Sequence, residues 1–192
     1  PFMPQVHHPF IDVAVHPAIR ARFAAGDAVV LFSRDLRDVL WANGEGARLF
    51  GHRAIYDLME DGPERGGVAF RQLTAAAAQL SLPGDRRGFL MRVMSGFRSV
   101  AVQAEVHLVT LGPEQAVMFS APAADGKRGL SSLLSGFDDP DTHMALLGAE
   151  GDVLAASAGF DQLGVMQDTA RALIGAAARS AEGLVKRPIP SG

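Results

Sequence analysis

Asp38-Val39-Leu40 recurs as Asp152-Val153-Leu154, and at the same offset (152 − 38 = 114) Ala42 falls on Ala156, Asn43 on Ser157 and Leu49 on Leu163. Asn and Ser are both favoured helix N-caps, so the exchange preserves the local grammar of a short apolar strand, a capping residue and a helix. A period above ~100 residues is too long for a solenoid unit and means two copies of one domain. Within 192 residues the first copy has room to be complete. The second is expected to lack its last two strands, which would expose an apolar sheet edge and leave it poorly ordered or completed by another chain.

The pattern of each segment fills in this outline. Residues 1–11 carry Pro1, Pro4 and Pro9 and read as an extended arm. A helix is expected over 12–25, with Pro17 in its first turn, Ile19 and Phe23 on one face, and Gly26 as its stop. Residues 28–32 are an unbroken apolar run, the signature of a strand covered on both faces. A polar turn and a second strand over 38–42 lead to Asn43, which should cap a helix running to Gly51. Helices are expected over 55–59 and 68–80, the latter striped by Phe70, Leu73, Ala77 and Leu80. Strands are expected over 89–94, 100–110 and 115–121; in the middle one Val100, Val102, Ala104, Val106 and Leu108 share a face opposite Gln103, Glu105 and His107.

This order gives an α+β domain over 12–121, an antiparallel sheet carrying helices on one face plus an N-terminal helix. A linker over 122–141 follows, in which Leu130, Leu133, Leu134 and Phe137 fall at helical spacing; this short amphipathic turn could dock on the first domain, join two domains or cover a sheet edge. The partial second copy occupies 142–192. Its expected elements are strands over 144–148 and 153–156, a helix to Gly164, a longer helix striped by Ala170, Leu173, Ile174 and Ala177, and a strand beginning near Gly183-Leu184-Val185.

Composition removes several function classes. The chain has no cysteine, so structural disulfides, thiolate zinc sites, iron–sulfur clusters and a cysteinyl–flavin adduct are excluded together. A net charge of 18 − 21 = −3 argues against nucleic acid as the main partner. No apolar run approaches the roughly 18 residues of a membrane span, and a cytoplasmic location is expected. His7, His8 and His16 have no metal-ligand spacing, so no metal is expected. Gly126-Lys127 is followed by Arg128, which breaks a phosphate-binding loop. Ser95-Gly96 and Ser135-Gly136 are turn chemistry, and Asp138-Asp139 with Asp141 read as a solvated loop. No catalytic set survives, and this stretch of chain is not expected to be an enzyme itself.

Residues 29–51, which include Trp41-Ala42-Asn43 and close on Leu49-Phe50-Gly51, resemble the opening of a PAS domain. The resemblance extends over 12–121 and, in part, over 142–190. It implies a five-stranded antiparallel sheet, a helical wall around a small cavity, and a sensory role upstream of a transmitter. Tandem PAS domains without a membrane span look like the input region of a bacterial sensor histidine kinase, similar in style to the alphaproteobacterial cell-cycle group of DivJ, PleC and PdhS. The implied partners are a second copy of the chain and, through the parent kinase, response regulators or phosphotransfer proteins; ATP would bind the parent outside these residues.

Within this fold Phe32, Trp41, Leu49, Phe50, Met94 and Phe119 are the candidate cavity lining, able to hold a non-covalent flavin or another planar ligand, or simply to be core. Haem is disfavoured: the 68–80 helix has no His, His52 falls in a loop, and His107 is on the polar face of its strand. Ile19 and Phe23 are the candidate dimer interface, or a cap on their own sheet. A cofactor sensor and a protein-docking scaffold are the alternative functions.

Overall fold

The computed structural model describes residues 9–95, 97–122, 134, 137 and 139–189. Strands β1 (Ala28–Ser33), β2 (Val39–Ala42), β3 (Arg86–Ser95), β4 (Arg98–Leu111) and β5 (Glu114–Ala121) form one antiparallel sheet in the order β2-β1-β5-β4-β3. Helices α3 (Gly44–Leu49), α4 (Ile55–Asp61) and α5 (Val68–Ala77) connect β2 to β3 and cover the inner face. The α+β architecture is the one the sequence pattern and the PAS resemblance call for.

The apolar run of β1 serves two cores at once. Alternation sends Ala28, Val30 and Phe32 into the inner core and Val29 and Leu31 into an outer one. Burying side chains of this size contributes roughly 2 kcal/mol each.

The outer core is roofed by the chain's own N-terminal segment. The expected helix over 12–25 is two short ones, α1 (Phe10–Ala14) and α2 (Arg20–Ala24). Pro17 explains the break, because it has no N–H to donate and its ring crowds the preceding turn. The chain turns there through the backbone N–H groups of Ile19 and Arg20, both donating to the His16 carbonyl, while the His16 ring accepts from Ala18 N–H through Nδ1 and reaches the Thr110 carbonyl through Nε2 at 3.0 Å. Helix α1 also starts inside the segment expected to be an extended arm; residues 1–8, with His7 and His8, lie outside the described residues.

Beneath α2 the outer face turns polar. Arg22 bridges Asp27 at 3.4 Å and Glu105 at 3.3 Å. His107, two residues along the same face from Glu105, is buried with its Nδ1 unpartnered. Burial holds its pKa below the ordinary histidine value; the nearby Arg86 and Arg22 push the same way, against Glu105.

Strand lengths leave part of the sheet overhanging. β4 has 14 residues, but β5 pairs with it only from Glu105 onward. Its first half therefore pairs with β3 alone, as a two-stranded ribbon with Leu90 and Met94 exposed on one face and Phe97 fully exposed at the tip.

The second copy repeats the start of the first. Strands β6 (Ala145–Leu147) and β7 (Val153–Ala156) pair as Ala145↔Ala156, Leu146↔Ala155 and Leu147↔Val153, the register of Val30↔Ala42, Leu31↔Trp41 and Phe32↔Val39, with the irregularity at the same step. The offset is 115 along the first strand (145 − 30) and 114 along the second (156 − 42), so the connecting turn is one residue shorter. The helix expected up to Gly164 is a 3-10 turn, Phe160–Leu163, and the longer helix follows as α6 (Gln167–Arg179). Gly151, at φ +84, lets the β6–β7 turn approach α6, where Gln167 and Arg171 donate to the Glu150 carbonyl. Among the described residues no strand forms near Gly183-Leu184-Val185: the second sheet there consists of β6 and β7, and residues 184–189 pair with neither.

Of the expected amphipathic turn, Leu134 and Phe137 are buried, whereas Leu130 and Leu133 lie outside the described residues. Phe137 joins the inner core, with its ring 5.2 Å from Phe10 and 6.2 Å from Tyr56.

Asn43 ties these parts together. Its Oδ1 accepts from Val29 N–H at 2.9 Å and from Gly46 N–H at 2.8 Å, and its Nδ2 donates to the Asp27 carbonyl at 2.7 Å. Replacing Asn43 by Ala leaves two buried backbone donors unmet and removes an N-cap, so urea denaturation should show a loss of about 3 kcal/mol, with a smaller loss for Asn43→Ser. His107 makes a second prediction. Because its folded pKa is depressed, the unfolded chain binds more protons, and stability should fall as pH drops below about 6.5. Denaturation midpoints across pH 5 to 7 should show this slope, and His107→Leu should flatten it.

Candidate functional site

Where the C-terminal end of α3, the N-terminal end of α5 and the β3–β4 ribbon meet, they enclose a cleft of about 330 Å³. Its position follows from local sequence. Gly51 adopts φ +86 and ends α3, directing Leu49 and Phe50 toward the cleft. On α5, Phe70, Leu73 and Ala77 form the buried stripe, which leaves Val68 and Ala69 in the first turn to make a wall. The opposite wall is Arg92, Val93, Met94 and Ser99 of the ribbon. The two walls are tied where Arg92 N–H, on the free edge of β3, donates to Gln72 Oε1 of α5 at 2.9 Å.

Arg65 braces the loop leading into α5. Its guanidinium lies 5.2 Å from the centroid of the Phe70 ring and donates to the Leu36 carbonyl at 2.8 Å and to that of Arg37. Leu36 itself adopts φ +62, so this contact holds a strained turn between β1 and β2.

The sequence-derived lining divides three ways. Leu49, Phe50 and Met94 line the cleft. Phe32 and Phe119 lie beneath it, fully buried, with ring centroids 6.0 and 5.2 Å from Phe50. Trp41 is on the opposite face of the sheet: it pairs with Leu31, directly opposed residues share a face, and Leu31 points outward. Its ring packs 4.8 Å from Phe10 and its Nε1 donates to the Phe10 carbonyl at 3.1 Å. The expected interface pair is likewise turned onto the chain's own sheet. Ile19 is fully buried in the outer core, which leaves it no surface for a partner, while Phe23 packs edge-on to Trp41 at 6.0 Å.

Sequence reasoning missed Glu64, Gly67, Val68, Ala69, Arg92 and Val93 as lining residues. The available signal was the first turn of α5, where an exposed Val68 follows a Gly N-cap with no side-chain cap. Chemically the lining is an apolar body with one acid and one base among its residues. Such a surface binds by exclusion of water and leaves orientation to a few polar contacts. It holds no histidine and no nucleophile–base pair, and no group of side chains among the described residues could hold a metal ion. Likewise, no helix among the described residues is long and apolar enough to cross a membrane.

No protein-family model matches the sequence. Among characterised proteins, the chain is 36% identical over 186 residues to the cell-division control histidine kinase PdhS of Brucella anthropi, and 34% identical over the same length to PdhS of Brucella ovis and of Brucella canis. Each match covers 96% of this chain but only 17 to 18% of the kinase. Almost the whole chain is therefore homologous to one region, about a sixth, of PdhS cell-division control histidine kinases.

Proposed function

We propose that these residues are the sensory input region of a sensor histidine kinase, a PAS domain followed by the start of a second. The observation that carries this reading is the continuous similarity to PdhS kinases over 96% of the chain. The sheet order and the helical inner wall agree with it, as does the copied strand register of the second unit. On this reading the kinase lies in the cytoplasm, works as a dimer, takes its phosphoryl group from ATP bound outside these residues, and passes it to response regulators or phosphotransfer proteins.

The cleft is the site at which the input acts. A ligand or partner group seated between α5 and the ribbon would favour one packing of these two elements over another, and only such differential binding can shift a signalling equilibrium. Phe137 and Met144 would carry the change onward, since both pack on the same inner core that supports the cleft.

The test is autophosphorylation of the full gene product with radiolabelled ATP. Val68 is half-exposed on the cleft wall, so Val68→Trp should fill the cleft without disturbing the core. The autophosphorylation rate should change by about fivefold or more while KM for ATP stays constant. An unchanged rate in a folded variant, or a gene product without kinase activity, would count against this reading.

A further inference from the structure

The overhanging ribbon is the most exposed apolar feature of the first domain. Leu90 and Met94 are exposed on one face of β3, and Phe97 at the tip is wholly so. The cleft opens beside the tip of the same ribbon, with Met94 and Ser99, paired one step before the turn, in its lining. Knob and hole are thus separated by only two or three residues.

That proximity selects among possible occupants. In a two-fold contact each copy presents the same patch, so a surface that carries both an exposed ring and a receptive cleft can satisfy itself twice over. The dimensions agree: a cavity of about 150 Å³ accommodates a benzene ring, and this cleft is about 330 Å³. Charge agrees as well. Arg98 follows Phe97 directly and is exposed, and the lining of the receiving cleft includes the exposed carboxylate of Glu64. One ring and one ion pair per copy is far less than the roughly 20 to 30 residues a side of a standard interface, which points to a weak, reversible dimer.

We infer that the occupant of the cleft is Phe97 of a second copy of this chain, inserted reciprocally, with Arg98 of each copy against Glu64 of the other. The α1–α2 roof takes no part in this contact, because Ile19 is already buried in its own domain. The inference is independent of kinase activity: the contact could form in a protein with any output, and a kinase could operate without it.

Sedimentation of the 192-residue chain over a concentration series tests it. A monomer–dimer equilibrium should appear with a dissociation constant near 100 µM or tighter. Phe97→Asp should weaken it by at least about tenfold, with thermal unfolding unchanged because the ring has no contacts to lose. Glu64→Arg and Arg98→Glu should each weaken the dimer, and the double exchange should restore it, which a merely structural defect would not do. A chain that stays monomeric well above that range, a dimer indifferent to Phe97→Asp, failure of the double exchange to rescue, or native mass spectra showing a small molecule retained by the monomer would each overturn the inference.

Discussion

The buried side chain of Asn43 makes three hydrogen bonds, and each goes to a different part of the fold. One fixes the N–H of Val29 on β1, one caps α3 through Gly46, and one holds the Asp27 carbonyl at the entry to the sheet. In a low-dielectric site these donors and acceptors have no alternative partners, so the residue sets the position of the helix relative to the strand. The main chain repeats the bracket, since Asn43 N–H donates to the Val29 carbonyl at 3.1 Å. Once α3 is placed against β1, Leu49 and Phe50 arrive where the cleft requires them.

The second copy shows which part of this bracket is essential for the strand pair and which for the helix. Ser157 Oγ accepts from Met144 N–H, and Ser157 N–H donates to the Met144 carbonyl, both at 2.8 Å, the same reciprocal pair that Asn43 makes with Val29. The strand register is accordingly preserved. The helix is not. In the first copy Gly46 lies so close to β1 that a Cβ there would run into the Val29 carbonyl and come within 2.8 Å of Val30 Cγ2. The equivalent position is Phe160 (46 + 114), whose side chain forbids that approach, and the segment closes as a 3-10 turn. Serine suffices to clamp the strands, but α3 needs glycine three residues later.

These residues also explain how much could be read in advance. Capping chemistry and two-residue alternation are local, so Asn43, the double-faced run of β1 and the inner stripe of β4 were legible, as was the β6–β7 strand pair. The fate of Trp41 was not, because the face it takes depends on its pairing with Leu31, and pairing register is decided between strands. The same limit applies to Ile19: one apolar stripe on a short helix looks identical whether it meets a partner or its own sheet. The cleft was only half visible. Its Leu49 and Phe50 wall follows the helix cap, whereas of the opposite wall only Met94 was legible: Arg92, Val93 and Ser99 join it because β4 outruns β5, and relative strand length emerges only from the assembled sheet.

Closing the outer face within the chain has a consequence for where anything else can attach. The α1–α2 roof consumes the outward-facing apolar side chains of β1, β2, β5 and the second half of β4, and its polar margin of Arg22, Asp27, Glu105 and His107 lies along the border with the uncovered ribbon. A charged, partly buried margin is a poor place to extend an apolar interface, because each added contact would further desolvate the Arg22–Asp27 and Arg22–Glu105 ion pairs. Beyond that margin lie the ribbon and its exposed Leu90, Met94 and Phe97. Strand mismatch and the helical roof therefore act in the same direction: both leave Leu90, Met94 and Phe97 uncovered at the edge where the cleft opens.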